Sequence, residues 1–209
     1  MSEVLLPDLQ QPGAQSGTRF LLGVLTIAST MIAPVIRPAA GYPTELETSI
    51  LLRDDRRLRV RPIVRGDAAV LRREFDNADE ETLRLRFMTS RPHLDERRLL
   101  QLVDVDYRWR LALTAWDGQT PVAIARYEGK PNEPSAEVAF VVKPAYRNLG
   151  VASALLMLLE DAARRAGISE FTASFLGSNL ATEAVLAKSG FGTPTIRNGV
   201  GEARKDLLS

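Results

Sequence analysis

The stretch from Ala136 to Ser153 constrains the fold more than any other part of the chain. Ala136-Glu-Val-Ala-Phe-Val-Val142 is apolar but for one glutamate and rich in valine, so it reads as a buried strand. Lys143-Pro144 ends it. A short loop then delivers Arg147, Asn148, Leu149 and Gly150, and Val151 to Arg165 keeps its apolar residues at helical spacing. Gly167 closes that helix from the C′ position. The first backbone N–H groups of a helix have no internal partner and carry the positive end of its dipole. A diphosphate can collect them wherever the backbone comes close enough. Gly150 permits that approach, Val151, Ala152 and Ser153 begin the helix, and Arg147 can add a charged contact. The bland alternative is a plain strand-to-helix connection. Competing phosphate motifs are absent: there is no Gly-Lys-Ser/Thr and no Gly-x-Gly-x-x-Gly after a strand.

The rest of the chain fits around that unit. Ser49 to Leu52 and Leu58 to Ile63 read as strands about the turn Arg53-Asp54-Asp55-Arg56. Gly66-Asp67 opens a helix to about Phe75, with Asp67 as N-cap. Helices follow over Glu80 to Phe87 and Asp95 to Val103. Trp109 to Trp116 and Pro121 to Tyr127 form a hairpin on Asp117-Gly118. After the long helix come a strand, Ile168 to Phe175, and a helix, Asn179 to Lys188. One or two short strands finish the chain. The order predicts a mixed α/β fold, a twisted and mostly antiparallel central sheet with helices on both faces.

Composition sets the chemistry. The 209 residues suit one domain and a tail. With 45% hydrophobic and 25% charged residues, a disordered or polytopic membrane chain is excluded. Lys plus Arg is 27 and Asp plus Glu 26, so no global basic field argues for nucleic acid. There is no cysteine and a single histidine, His93, which removes thiolate and His-cluster metal sites and weakens any Ser-His-Asp triad. No metal is expected. Catalysis must rest on carboxylates, hydroxyls, Arg, Lys and backbone amides. The first 42 residues differ from the rest. The run 20–36 is uncharged, at the short end for a membrane span, and is weakened by Thr26, Ser29, Thr30 and Pro34. An acidic start argues against secretion, so the cytoplasm is expected and membrane contact is not favoured.

Arg147-x-x-Gly150-x-Ala152 after Glu137-Val-Ala-Phe-Val-Val142, with Asn179 and then Lys188-Ser-Gly190-Phe191, resembles the GNAT N-acetyltransferases. Tyr42-Pro43-x-Glu45, Leu52-Arg53-Asp54, Val60-Arg61-Pro62, Leu85-Arg86-Phe87 and Val105-Asp106-Tyr107 narrow the likeness to bacterial protein lysine acetyltransferases. The resemblance covers residues 43–209 and implies acetyl-CoA as co-substrate. It implies that Phe140, Val141 and Val142 line the pantetheine arm, that Arg147 to Ser153 hold the diphosphate, and that Asn179 approaches the thiol end. It makes Glu137 the general base, against the simpler reading of a solvated glutamate at a strand start. The implied acceptor is a protein lysine, for example on an acyl-CoA synthetase. A small-molecule amine, or a non-catalytic acyl-CoA-binding module, stays open. Leu186 stands where many members of the family carry a tyrosine acid, so the thiolate has no such donor here.

The remaining candidates have plainer readings. His93 reads as a surface residue, Asp104 and Asp106 as a capped helix end, and Tyr107 as packing. Trp109 and Trp116 read as packing on opposite strand faces. Arg164 and Arg165 complement a helix dipole.

Overall fold

The computed structural model of the chain describes residues 41–89 and 92–209. The tail up to residue 40, with the apolar run 20–36, lies outside the described residues. Tyr42, expected at the end of that tail, stacks edge-on against Tyr107 at 5.6 Å and donates to Glu47 over 2.7 Å.

Two strands open the fold, β1 (Thr48–Leu51) and β2 (Arg57–Pro62), followed by α1 (Ala68–Asp76), α2 (Glu80–Phe87) and α3 (Glu96–Val103). Then come β3 (Arg110–Asp117), β4 (Thr120–Gly129) and β5 (Ser135–Val142), the long α4 (Val151–Ala166), β6 (Glu170–Leu176), α5 (Leu180–Lys188), β7 (Thr195–Arg197) and β8 (Val200–Asp206). They form one eight-stranded sheet in the order β1-β2-β3-β4-β5-β6-β8-β7. Every pairing is antiparallel except β5 with β6.

Alternation along the strands sorts side chains to two faces. Leu111, Leu113, Ala125, Tyr127, Ala136 and Val138 face α4, whose Leu155, Leu156 and Leu159 are fully buried against them. Each such leucine contributes about 1.5–3 kcal/mol of transfer free energy. On the other face Ile63, Ala112 and Val103 pack with Leu71 of α1. Helices therefore cover both faces, as expected, and the element order agrees with the sequence reading to within a residue or two at most ends.

Two local expectations need correcting. Asp67 does not cap α1 with its side chain. It is buried, accepts from the Val64 N–H at 2.9 Å, and takes a two-point ion pair from Arg61 at 2.6 and 2.8 Å. A partly buried guanidinium with two-point geometry outcompetes a helix end for that carboxylate. Arg164 does more than complement a dipole: its Nε donates to the Leu207 carbonyl at 2.6 Å and pins the chain's last turn to α4.

Candidate functional site

The parallel pair at the centre of the sheet is short. Ser135, Ala136 and Glu137 of β5 align with Glu170, Phe171 and Thr172 of β6, and the pairing stops there. β5 continues to Val142 on β4, and β6 continues to Leu176 on β8. From Val138 onward the two central strands diverge, so backbone groups along that side of β5 have no strand partner. Phe140 and Val142 pack partly against the α4 core, and Val141 faces the opposite side. The three candidate arm-lining residues thus share one wedge but not one face.

Glu137 occupies the apex. It is the last residue of β5 paired to β6, and it is exposed. Across β4 it stands in register with Glu128. Like charges directly opposite repel. Arg126, two residues along on β4, answers with an ion pair to Glu128 at 2.5 Å. Burial, then the neighbouring Arg126, lower the Arg86 guanidinium of α2 to about 10, while Glu128 and Glu137 pull it the other way. It stays cationic at neutral pH.

The wedge opens toward the loop before α4. A tight turn, Pro144–Tyr146, follows Lys143, and Arg147 is extended. Asn148 has φ +61° and Gly150 φ +91°. The conformation at Gly150 disfavours any residue with a Cβ. A Cβ there would meet nothing within 4 Å, so the space above the glycine is open. No side chain caps α4, and Gly150 is its N-cap. The N–H groups of Val151, Ala152 and Ser153 therefore form the unpartnered end that an anion can use. Arg53 steadies the loop from the β1–β2 turn: its N–H donates to the Leu149 carbonyl and its Nη1 to the Asn148 carbonyl, both at 3.3 Å. The Tyr146 hydroxyl donates to Asp117 at 2.7 Å, a bond that raises the phenol's pKa, and Arg56 stacks on its ring at 4.6 Å. Arg147 is committed within the chain, through Nε to the Val142 carbonyl at 3.2 Å and through Nη2 to Thr82 Oγ1 at 2.7 Å.

Asn179 begins the next helix beyond the wedge. It is buried, and its Oδ1 accepts from the Thr182 N–H at 3.1 Å. The side-chain oxygen caps α5, which leaves its amide nitrogen for any further contact. Leu186 is buried in the core. His93 is exposed. Asp106 is an anchor for the turn: one of its oxygens accepts from the N–H groups of Arg108, Trp109 and Arg110 at 2.7–3.0 Å. Tyr107 bonds the Ile63 carbonyl at 3.0 Å and packs on the core. Trp116 is buried, and Trp109 packs on the α4 side.

The sequence reading did not single out Arg126; it took Arg53 only as part of a turn and a resemblance, and Arg86 only as part of that resemblance. The signal for Arg126 was its position: an arginine between Ala125 and Tyr127, in a strand whose alternation turns it toward the helices α1 to α3.

Residues 76–191 match the model of the Acetyltransferase (GNAT) family. An acetyltransferase of Pseudomonas aeruginosa is 28% identical over 144 residues, 67% of this chain and 77% of that protein. The crystal structure of the GNAT domain of S. lividans PAT superimposes with a TM-score of 0.74 at 31% identity, covering 79% of this chain and 99% of that one. A cAMP-binding acyltransferase from Mycobacterium smegmatis matches with a TM-score of 0.56 at 26% identity, over 78% of this chain but only 48% of its own length.

Proposed function

This chain belongs to the GNAT acetyltransferase family, enzymes that pass an acyl group from acyl-CoA to an amine, and from that premise we propose that it acetylates a lysine side chain on a protein. The likeness to the PAT domain over 99% of that domain supports the acceptor class. The observation that carries the chemistry is Glu137 at the apex of the wedge, where β5 parts from β6.

The amine must first lose a proton. A lysine with pKa about 10.4 is neutral in only roughly one molecule in 2,500 at pH 7. Glu137 accepts that proton, directly or through a water, as the nitrogen attacks the thioester carbon. The C–N bond forms, the C–S bond breaks, and CoA leaves as a thiolate. A thiol pKa near 8.5 makes it an adequate leaving group. Leu186 offers no proton at this site, so solvent protonates the thiolate. The co-substrate is held by its diphosphate at the N–H groups of Val151, Ala152 and Ser153, with Arg147, Asn148, Leu149 and Gly150 shaping the approach. Its arm runs along the unpaired edge of β5 past Phe140, Val141 and Val142, toward the Asn179 amide.

The test is a reaction of the full chain with acetyl-CoA and an acyl-CoA synthetase, read by CoA release and by the mass of the synthetase's lysine peptides. An acetyl mass shift on one lysine is expected. CoA release with small amines but never with proteins would move the acceptor to that class. Acyl-CoA binding without any CoA release would make the chain a binding module.

A further inference from the structure

On the sheet face opposite α4, the helices α1 and α2 border a cavity of about 300 Å³. That is the lower end of the range for small-molecule sites. Its wall is mainly apolar, with Leu71, Phe75 and Leu83 from the helices and Ile124, Ala139 and Val141 from the sheet. Three carboxylates, Asp67, Glu74 and Asp79, stand against three cations, Arg86, Arg126 and Lys143, so the wall carries no net charge. Asp67 and Glu74 are held in ion pairs, to Arg61 and Lys143, and Arg126 is held in one to Glu128. Such a wall suits a neutral apolar group, because burying alkyl carbon there is favourable and burying a lone charge is costly.

The cavity meets the reaction path at β5. Successive residues of a strand face opposite sides, so Glu137, Ala139 and Val141 share a face. Ala139 and Val141 line the cavity, whereas Phe140 and Val142 pack toward α4. The arm of acyl-CoA runs past Val141, and the acceptor amine gives up its proton at Glu137. The thioester therefore lies between the two, beside Ala139, whose single methyl leaves the way into the cavity open. Glu137 itself does not line the cavity. The acceptor accordingly stays outside, and the acyl group is the reactant carried past the mouth. An acetyl methyl leaves most of the space empty.

Given the acyl-CoA reading of the wedge and loop, on which this rests, we propose that the cavity houses the alkyl chain of the acyl donor. Ala139 is the residue that admits the chain, so donors of the propionyl-to-hexanoyl class bind better than acetyl-CoA. The transfer keeps its course. The lysine nitrogen attacks the acyl carbonyl carbon, the C–N bond forms as the C–S bond breaks, Glu137 takes the amine proton, and the chain passes to the lysine with its carbons intact. Each methylene buried in the cavity strengthens binding about fourfold.

The full chain is titrated by calorimetry with acetyl-CoA and with butyryl-CoA, in the absence of any acceptor. Butyryl-CoA carries two further methylenes and should bind about tenfold more tightly. Ala139→Leu closes the mouth and should bring that ratio to one or below. Ile124→Phe fills the space from β4, in register with Val141, and serves in its place should Ala139→Leu fail to fold. Equal affinity for the two donors in the wild type, or an advantage for butyryl-CoA that survives in the folded variant, overturns the proposal and leaves the acyl-CoA site standing. Failure of both donors to bind overturns the site and the proposal together. Because no acyl transfer is measured, the outcome stands apart from that of the acceptor assay.

Discussion

Arg147 and Thr82, 65 positions apart in sequence, are joined by a 2.7 Å hydrogen bond from the Arg147 Nη2 to the Thr82 hydroxyl. The same hydroxyl donates to Asp79 Oδ2 at 2.6 Å, and the Thr82 N–H donates to Oδ1 at 2.8 Å. The N-cap of α2 and the loop before α4 are thereby one network, so acidification of the cap reaches the loop.

Those bonds from Thr82 hold the Asp79 carboxyl below its ordinary 3.8. A depressed carboxyl stabilises the fold fully above its unfolded pKa, and the contribution is lost as pH falls through the folded value. Asp79→Ala should therefore lower the melting temperature at pH 7 by roughly 2–4 °C, the effect of a cap worth about 1 kcal/mol in a chain of this size. The gap between variant and wild type should close in acid. A gap of the same size at pH 2, seen by calorimetry, would count against the cap.

The loop itself is tested at Gly150. With φ +91° and open space where a Cβ would stand, aspartate adds backbone strain and places a negative charge at the N–H groups proposed to hold the diphosphate. Gly150→Asp should cost acyl-CoA at least about a hundredfold in affinity, since both the hydrogen bonds and the charge balance are lost. The fold should survive with a modest drop in melting temperature. Unchanged affinity by calorimetry would remove the loop from the site.

Most of this architecture was legible because it rests on local signals. The two apolar runs within Leu111–Tyr127, the Asp117-Gly118 turn between them and the capping Gly167 each encode one element in a few residues. The Asn198-Gly199 turn between β7 and β8, with φ +49° and +79°, carried an equally local signal. It merited as firm a hairpin expectation as Asp117-Gly118. Glu137 and Gly150 were visible as residues within a motif. The divergence of β5 from β6 after Glu137 was not, because strand registry is a long-range property. Nor was the bond from Arg147 to Thr82, the ion pair from Arg126 to Glu128, or the diversion of Asp67 to Arg61. Each joins residues whose partnership depends on which faces the finished sheet brings together.

One buried charge pair supports the far side of the wedge. Lys205 on β8 bonds Glu160 of α4 at 2.6 Å, where Glu160 is 6% exposed, and also donates to the Ser189 carbonyl at the end of α5 at 2.6 Å. Arg164 stands 3.8 Å from the same glutamate. Lys205→Met should destabilise the chain by about 3 kcal/mol, because it leaves a buried carboxylate with only the longer contact to Arg164. Adding Glu160→Leu should restore much of that loss. A double variant no better than the single one in urea unfolding would show that the Ser189 contact, not the charge, carries the effect.

Glu137 is the proposed general base. Glu137→Gln keeps the shape at the apex of the wedge and leaves the loop at Gly150 untouched, so acyl-CoA affinity should change by less than about threefold. Turnover near pH 7 should fall by roughly 10²–10⁴, the contribution of a positioned general base. The loss should shrink as pH rises, because more of the acceptor amine is already neutral and needs no base. In the wild type, kcat/KM should rise with pH through the ionisation of the base and then level off. In the variant it should instead follow the amine alone, climbing toward pH 10. Glu128, in register across β4 and tied to Arg126, is the nearest carboxylate by strand pairing that could substitute, so Glu128→Gln serves as the control and should retain most of the activity. Wild-type turnover in Glu137→Gln at pH 7 would assign the proton to water or to another residue. Loss of acyl-CoA binding in the same variant would make Glu137 structural, and the two results are separated by measuring calorimetry and CoA release on one preparation.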